Sequence, residues 1–79
     1  MNNKEIYAKV FMEALEIDES QLEGLEYMGV PAWDSIGHMS LIAMLEDELG
    51  IQMETDDIID FSSYEKGMEI LRTKYAVEF

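Results

Sequence analysis

A chain of 79 residues, 48% of them apolar, carries enough hydrophobic side chain to fold, too much for simple disorder, and its length fits a single domain over 1–79. It has no cysteine, which excludes a disulfide framework and a thiolate metal site, so any thiol chemistry must come from an added group. Eighteen acids against five bases, a net charge of −13, repel nucleic acid and anionic lipid and steer basic partners toward the surface.

The bases are Lys4, Lys9, Lys66, Arg72 and Lys74; 15 of the 18 acids and no base fall between Val10 and Glu65. Such a surface serves solubility whatever else it does. Its self-repulsion predicts that added salt or Mg²⁺ raises the melting temperature, and a flat salt titration would show the repulsion to be unimportant. The opening Met1-Asn2-Asn3-Lys4-Glu5 has no apolar core, and no run reaches membrane-spanning length. The expectation is a monomeric cytoplasmic protein that makes no use of a membrane.

Asn3 is the predicted cap of a first helix over Lys4 to Glu16. At about 100° per residue, Ile6, Val10, Ala14 and Ile17 line one side, Tyr7 and Phe11 lie beside them, and Glu5, Lys9, Glu13 and Glu16 lie opposite. Asp18 to Ala32 has no sustained period; Gly24 and Gly29 interrupt it and Pro31 closes it. Leu22, Leu25 and Tyr27 are expected to pin this long loop across the helices, with one short helical turn inside it. Trp33, the only tryptophan, is expected to anchor the loop or the core, with partner contact as the alternative.

Asp34 reads as the N-cap of a second helix, Ser35 to Leu49, with Gly50 as its stop. Ser35 falls at the first helical position, where the helix dipole would stabilise an attached phosphate. Leu41, Ile42, Leu45 and Leu49 form the face to be buried. Opposite lie Ile36, Ser40, Ala43 and Asp47, flanked by Met44. Apolar Ile36 and Met44 on that face, rimmed by Glu46 and Asp47, read as a docking strip.

A short third helix over Asp56 to Asp60, capped by Thr55, offers Ile58 and Ile59 to the core. Ser62-Ser63-Tyr64-Glu65 has the form of a capping box, with Ser62 as cap, for a last helix over Ser63 to Tyr75. Tyr64, Met68, Leu71 and Tyr75 are its apolar stripe. Gly67 inside it is weaker than alanine by about 1 kcal/mol, and close packing against a neighbouring helix would explain it. The sum is all-α, three longer helices and one short.

Ser35 and His38 stand one turn apart, but a helix start in so small a bundle offers no closed pocket, and Asp34 is needed as cap. His38 is better read as a rim-of-core residue. Glu54, Asp56, Asp57 and Asp60 are clustered carboxylates of a type that suits Ca²⁺ or Mg²⁺, yet the EF-hand spacing is absent and first-turn acids complement a helix dipole unaided. No metal site and no catalytic activity are expected.

The segment Asp34-Ser35-Ile36, opening an amphipathic helix that ends in Leu49-Gly50, resembles the acyl carrier proteins. The wider string Val30-Pro31-Ala32-Trp33-Asp34-Ser35-Ile36-Gly37-His38-Met39 looks like the variant found in stand-alone carriers of specialised pathways. The likeness extends over nearly the whole chain, and its specificity lies in position: a helix start, mid-chain, in a small acidic helical domain. It implies a four-helix bundle of acyl-carrier type with a long loop after the first helix. It implies that Ser35 receives a 4'-phosphopantetheine arm from coenzyme A through a phosphopantetheinyl transferase, with Asp34 as cap and as support for that enzyme's Mg²⁺. The arm's thiol would hold acyl intermediates of fatty acid or polyketide type as thioesters.

By the same resemblance, Ile36, Ser40, Ala43, Met44, Glu46 and Asp47 would dock acyl-loading and acyl-using enzymes through their basic surfaces. Relatives often carry acids where Gly37 and Ser40 stand, so the charge contact near Ser35 should be weaker. Such bundles can part their helices to house an acyl chain, and the seven methionines (Met1, Met12, Met28, Met39, Met44, Met53, Met68) pack adaptably. The alternatives are an aminoacyl or peptidyl carrier on the same arm, and an acidic helical interaction domain that is never modified.

Overall fold

In a computed structural model that describes residues 2–79, helix α1 spans Asn3–Leu15. Asn2, one residue earlier than expected, is its cap: Oδ1 accepts the Glu5 N–H at 2.8 Å. The helix ends at Glu16, whose backbone turns left-handed (φ 55°). Tyr7 and Phe11, expected beside the buried stripe, are its centre and lie fully buried with Val10 and Leu15, while Ile6, Ala14 and Ile17 form its margin. The two rings fill the interior better than the smaller side chains can. The Tyr7 hydroxyl donates to the Tyr64 carbonyl at 2.7 Å. Burial, reinforced by Tyr64 and Glu65 nearby, pushes the Tyr7 phenol well above its usual pKa.

The expected helical turn in the loop is a 3-10 turn at Glu19–Gln21, closed by a capping box between Asp18 and Gln21. Leu22 and Leu25 are buried as expected; Tyr27 is not, at 40% exposure. Backbone pairing adds to the pinning. Glu26 bridges antiparallel to Ser63. The Tyr27 N–H donates to the Ser62 carbonyl at 2.8 Å and the Tyr64 N–H to the Leu25 carbonyl at 2.9 Å. Trp33 is wholly buried, so its role is in the core.

Helix α2 spans Ser35–Leu49 and stops at Gly50 (φ 65°), as the sequence predicts. Leu41, Ile42 and Leu45 are buried and Leu49 half-buried. Helix α3 spans Thr55–Asp60. Thr55 lies inside it rather than capping it, and Glu54 stands at the cap position without a side-chain bond. Ile58 is half-buried, but Ile59 is 72% exposed and not in the core. A helix this short turns only one face inward, and Ile59 follows Ile58 by about 100°.

Helix α4 spans Tyr64–Lys74. Its cap is Ser63, whose Oγ accepts the Lys66 N–H at 2.9 Å; the Ser62–Glu65 box does not form. The Ser62 carbonyl is committed instead to the Tyr27 N–H. Tyr64, Gly67, Ile70 and Leu71 face inward, with Met68 and Tyr75 half-buried. The tail adds Val77 to the core.

The architecture is therefore all-helical: three longer helices, one short one, and no strand among the described residues. The two longest helices, α1 and α2, pack against each other, and the whole measures 29 × 27 × 20 Å. Aromatic rings from every part of the chain meet in the middle: Phe11 lies 5.4 Å from Trp33, 4.9 Å from Tyr64 and 6.1 Å from Phe61. Of the methionines, Met53 is buried, Met12, Met44 and Met68 are half-buried, Met28 and Met39 are exposed, and Met1 lies outside the described residues. No described helix is long and apolar enough to cross a membrane.

Asp57, one of the clustered acids, turns inward and is only 5% exposed. Its carboxylate accepts from Lys74 Nζ at 2.7 Å and from the Tyr75 hydroxyl at 2.5 Å, and that hydroxyl accepts the Glu54 N–H at 2.8 Å. The knot ties α3 to the end of α4. Hydrogen bonds from Lys74 and Tyr75 hold the Asp57 carboxyl below its usual pKa, against desolvation acting the other way, and the same contact with Asp57 raises Lys74. A depressed carboxyl stabilises the fold above its unfolded pKa of about 3.9, and the benefit is lost as pH falls through the folded value. Lys74 is largely exposed, so solvent screens part of the pair. Asp57→Asn should melt lower than the native chain at neutral pH, and the gap should close as pH drops below about 4. Melting curves of both proteins across pH test this; a gap that persists at the acid end would assign the loss to shape rather than charge.

Candidate functional site

The loop delivers its last residues against α2 at close quarters. Asp34 Oδ1 accepts the Gly37 N–H at 2.8 Å, and the Asp34 carbonyl accepts the His38 N–H at 2.8 Å. This is the capping geometry the sequence predicts. The N–H groups of Ser35 and Ile36 have no partner among the described residues, as befits a first helical turn. The Ala32 carbonyl lies so near Gly37 that a methyl group there would overlap it.

Ser35 is exposed at the first position of α2, and no described residue hydrogen-bonds its hydroxyl. The oxygen is open to a covalent attachment. The two free N–H groups and the positive end of the helix dipole suit a phosphate on it. The residues thus fit a phosphate-linked arm.

Both His38 ring nitrogens are bonded to groups other than Ser35. Trp33 Nε1–H donates to His38 Nδ1 at 2.9 Å; indole nitrogen can only donate, so Nδ1 is the acceptor. The ring proton therefore sits on Nε2, which donates to the Ile58 carbonyl at 2.8 Å. Both nitrogens are used to brace the loop, α2 and α3 together. That half-buried rim position matches the sequence reading.

Of the residues expected to form a docking strip, Ile36 (79% exposed), Ser40, Ala43 and Asp47 face solvent. Met44 and Glu46 are half-buried. Met44 packs against the core, and the Glu46 carboxylate accepts the Met53 N–H at 2.8 Å, fixing the α2–α3 connection. These two are thus partly structural.

A second apolar surface was missed by the sequence reading. Tyr27, Met39 (54% exposed) and Ile59 border a groove of about 390 Å³ between the start of α2 and α3, and Ser35 stands on its rim. The signal lay in Met39 and Ile59, apolar residues off the buried stripe of their helices. Nothing in the sequence alone brought Tyr27 beside them. A wider groove of about 800 Å³ runs between α1, the 3-10 turn and α4, away from Ser35, with Lys4, Lys9, Glu19 and Glu65 among its walls.

No family model matches the chain, and no curated protein matches it.

Proposed function

We propose that the protein is a carrier of acyl-carrier type, one domain over 1–79 without catalysis of its own, that holds acyl intermediates on a 4'-phosphopantetheine arm attached to Ser35. The observation that carries this reading is the free, exposed Ser35 hydroxyl at the first position of α2, beside the capping carboxylate of Asp34. The sequence resemblance at Asp34-Ser35-Ile36 agrees with it.

On this reading the Ser35 oxygen gives up its proton to a base of the transferase and forms a bond to phosphorus as the pyrophosphate bond of coenzyme A breaks and adenosine 3',5'-bisphosphate leaves. Asp34 orients the helix start and lies near the transferase's Mg²⁺. The free N–H groups of Ser35 and Ile36 face the new phosphate. When bound, the arm supplies the thiol that this cysteine-free chain lacks. The chain's own work is then presentation. A rigid helix fixes where the arm begins, and tethering gives cargo a high local concentration at each docked enzyme. The acids speed encounter with basic partners, and Ile36 with its exposed neighbours supplies the contact.

Incubation with coenzyme A, Mg²⁺ and a broad-specificity phosphopantetheinyl transferase should raise the intact mass by one arm, and Ser35→Ala should stay unmodified. An unchanged mass for the native chain with a transferase proven active on another substrate would end the carrier reading.

A further inference from the structure

The groove between α1, the 3-10 turn and α4 has an apolar floor and one buried residue with an unpartnered polar end. Ala8 and Met12 of α1, Leu22 after the 3-10 turn and Met68 of α4 make the floor. Tyr64 also lines the groove and is only 8% exposed. Its carbonyl accepts from Tyr7, but no described residue hydrogen-bonds its hydroxyl. Every fully buried side-chain polar atom among the described residues has a partner, so the Tyr64 oxygen reaches the open space of the groove. A phenol held so deep ordinarily finds a partner.

The charge around that oxygen says what the partner is. Four glutamates and two lysines share the lining. Burial first, then Glu65 and Glu19, push the Tyr64 phenol above its usual pKa, so it keeps its proton and its oxygen can accept. Neither glutamate is ion-paired among the described residues, where the ion pairs are Lys9–Glu13 and Lys74–Asp57. The groove's own lysines therefore leave Glu19 and Glu65 without a counter-charge.

We propose that this groove is a second binding face, and that it takes a lysine or arginine side chain from a helix of a partner protein. The aliphatic stem lies on Met12, Leu22 and Met68, and the cationic head donates to Glu19, Glu65 and the Tyr64 oxygen. The groove follows α1 from Asn2 to Met12, about 15 Å, which a free amine would fill only in part. A helix with apolar residues beside its basic one covers the rest of the floor. A second copy is a poor occupant, since each chain carries a net charge of −13. The face lies away from Ser35, so a partner held there leaves that serine free, and the inference does not depend on the carrier reading.

The test displays peptides of about 14 residues on phage, built on an alanine-rich helical frame and randomised along one face, and selects them against the whole folded chain. The winning peptide, synthesised, should carry lysine or arginine with apolar residues three or four positions away. In methyl NMR it should shift Ala8, Met12, Leu22 and Met68. Glutamine in place of its basic residue should weaken binding by about tenfold or more. Glu19→Gln combined with Glu65→Gln should weaken the unaltered peptide to the same degree. Glu48→Gln combined with Asp60→Asn removes equal charge from exposed positions elsewhere and should not. A winner without a basic residue, shifts centred on α2, equal losses in the two double variants, n-butylammonium binding as tightly as the peptide, or a selection that yields no binder would each overturn the proposal. Self-association that shifts the same methyls, read by sedimentation, would overturn it in favour of a second copy.

Discussion

Gly37→Ala is expected to destabilise the protein by about 3 kcal/mol, a fall in melting temperature of roughly 15 °C. Helix propensity alone gives the opposite sign, since alanine exceeds glycine by about 1 kcal/mol inside a helix. Position decides against propensity. The added methyl would overlap the Ala32 carbonyl oxygen, and its next neighbour is the Ala32 carbonyl carbon at 3.0 Å, so the obstacle is backbone and cannot rotate away. Relief requires the loop to lift or the first turn of α2 to open. Lifting the loop strains the Asp34–Gly37 cap, worth about 1 kcal/mol, and draws Trp33 out of a fully buried site. Thermal unfolding gives the size of the effect, and a red shift of the single tryptophan's emission reports its cause. A variant as stable as the native chain would show that the loop does not press on α2 as described. In this chain the loop leaves no room for any side chain at position 37.

Gly67→Ala is expected to cost about 2 kcal/mol net, even after the helix-propensity gain of about 1 kcal/mol. Its methyl would overlap the Phe61 ring and the Tyr7 hydroxyl, both buried among other rings. The Tyr7 hydroxyl cannot move freely, because it donates to the Tyr64 carbonyl at 2.7 Å, and losing a buried bond of that kind costs about 1–3 kcal/mol. A double-mutant cycle separates the terms. Tyr7→Phe removes the oxygen that the methyl would strike, so Gly67→Ala should cost less in the Tyr7→Phe background than alone. Strict additivity of the two substitutions would place the strain elsewhere. The sequence expectation for Gly67, close packing against a neighbouring helix, is met by Tyr7 of α1, and Phe61, which lies outside the helices, is a second neighbour the expectation did not include.

How far each element could be read depended on where its hydrogen bonds go. Helix α2 was legible from end to end because its signals are local: Asp34 caps it, Gly50 stops it, and Leu41, Ile42 and Leu45 repeat with its period. At α4 the local signal was ambiguous. Ser62 and Ser63 can each cap, and the choice fell to Ser63 only because the Ser62 carbonyl is taken by Tyr27 from a distant loop. The same backbone bridge orders the long loop, and backbone atoms carry no residue-specific signature. In α1 the stripe was found but its centre misplaced, because ring size as well as period decides which side chains fill an interior. The exposed hydroxyl of Ser35 was expected; the groove at its rim was not, since its walls come from the loop, α2 and α3 together.

By itself, then, the sequence determined the helical class, the limits of α2, the place of Ser35 at its start, and the acidic surface around it. Each follows from neighbours in the chain or from summed charge. Only the tertiary structure decided that His38 braces the loop, α2 and α3, that Asp57 binds Lys74 and Tyr75 of the α4 end, that Gly37 and Gly67 admit no methyl group, and that Ile59 joins Met39 beside Ser35. Those outcomes depend on contacts between residues far apart in sequence, where close packing and the pairing of buried polar groups leave one arrangement and local pattern is silent.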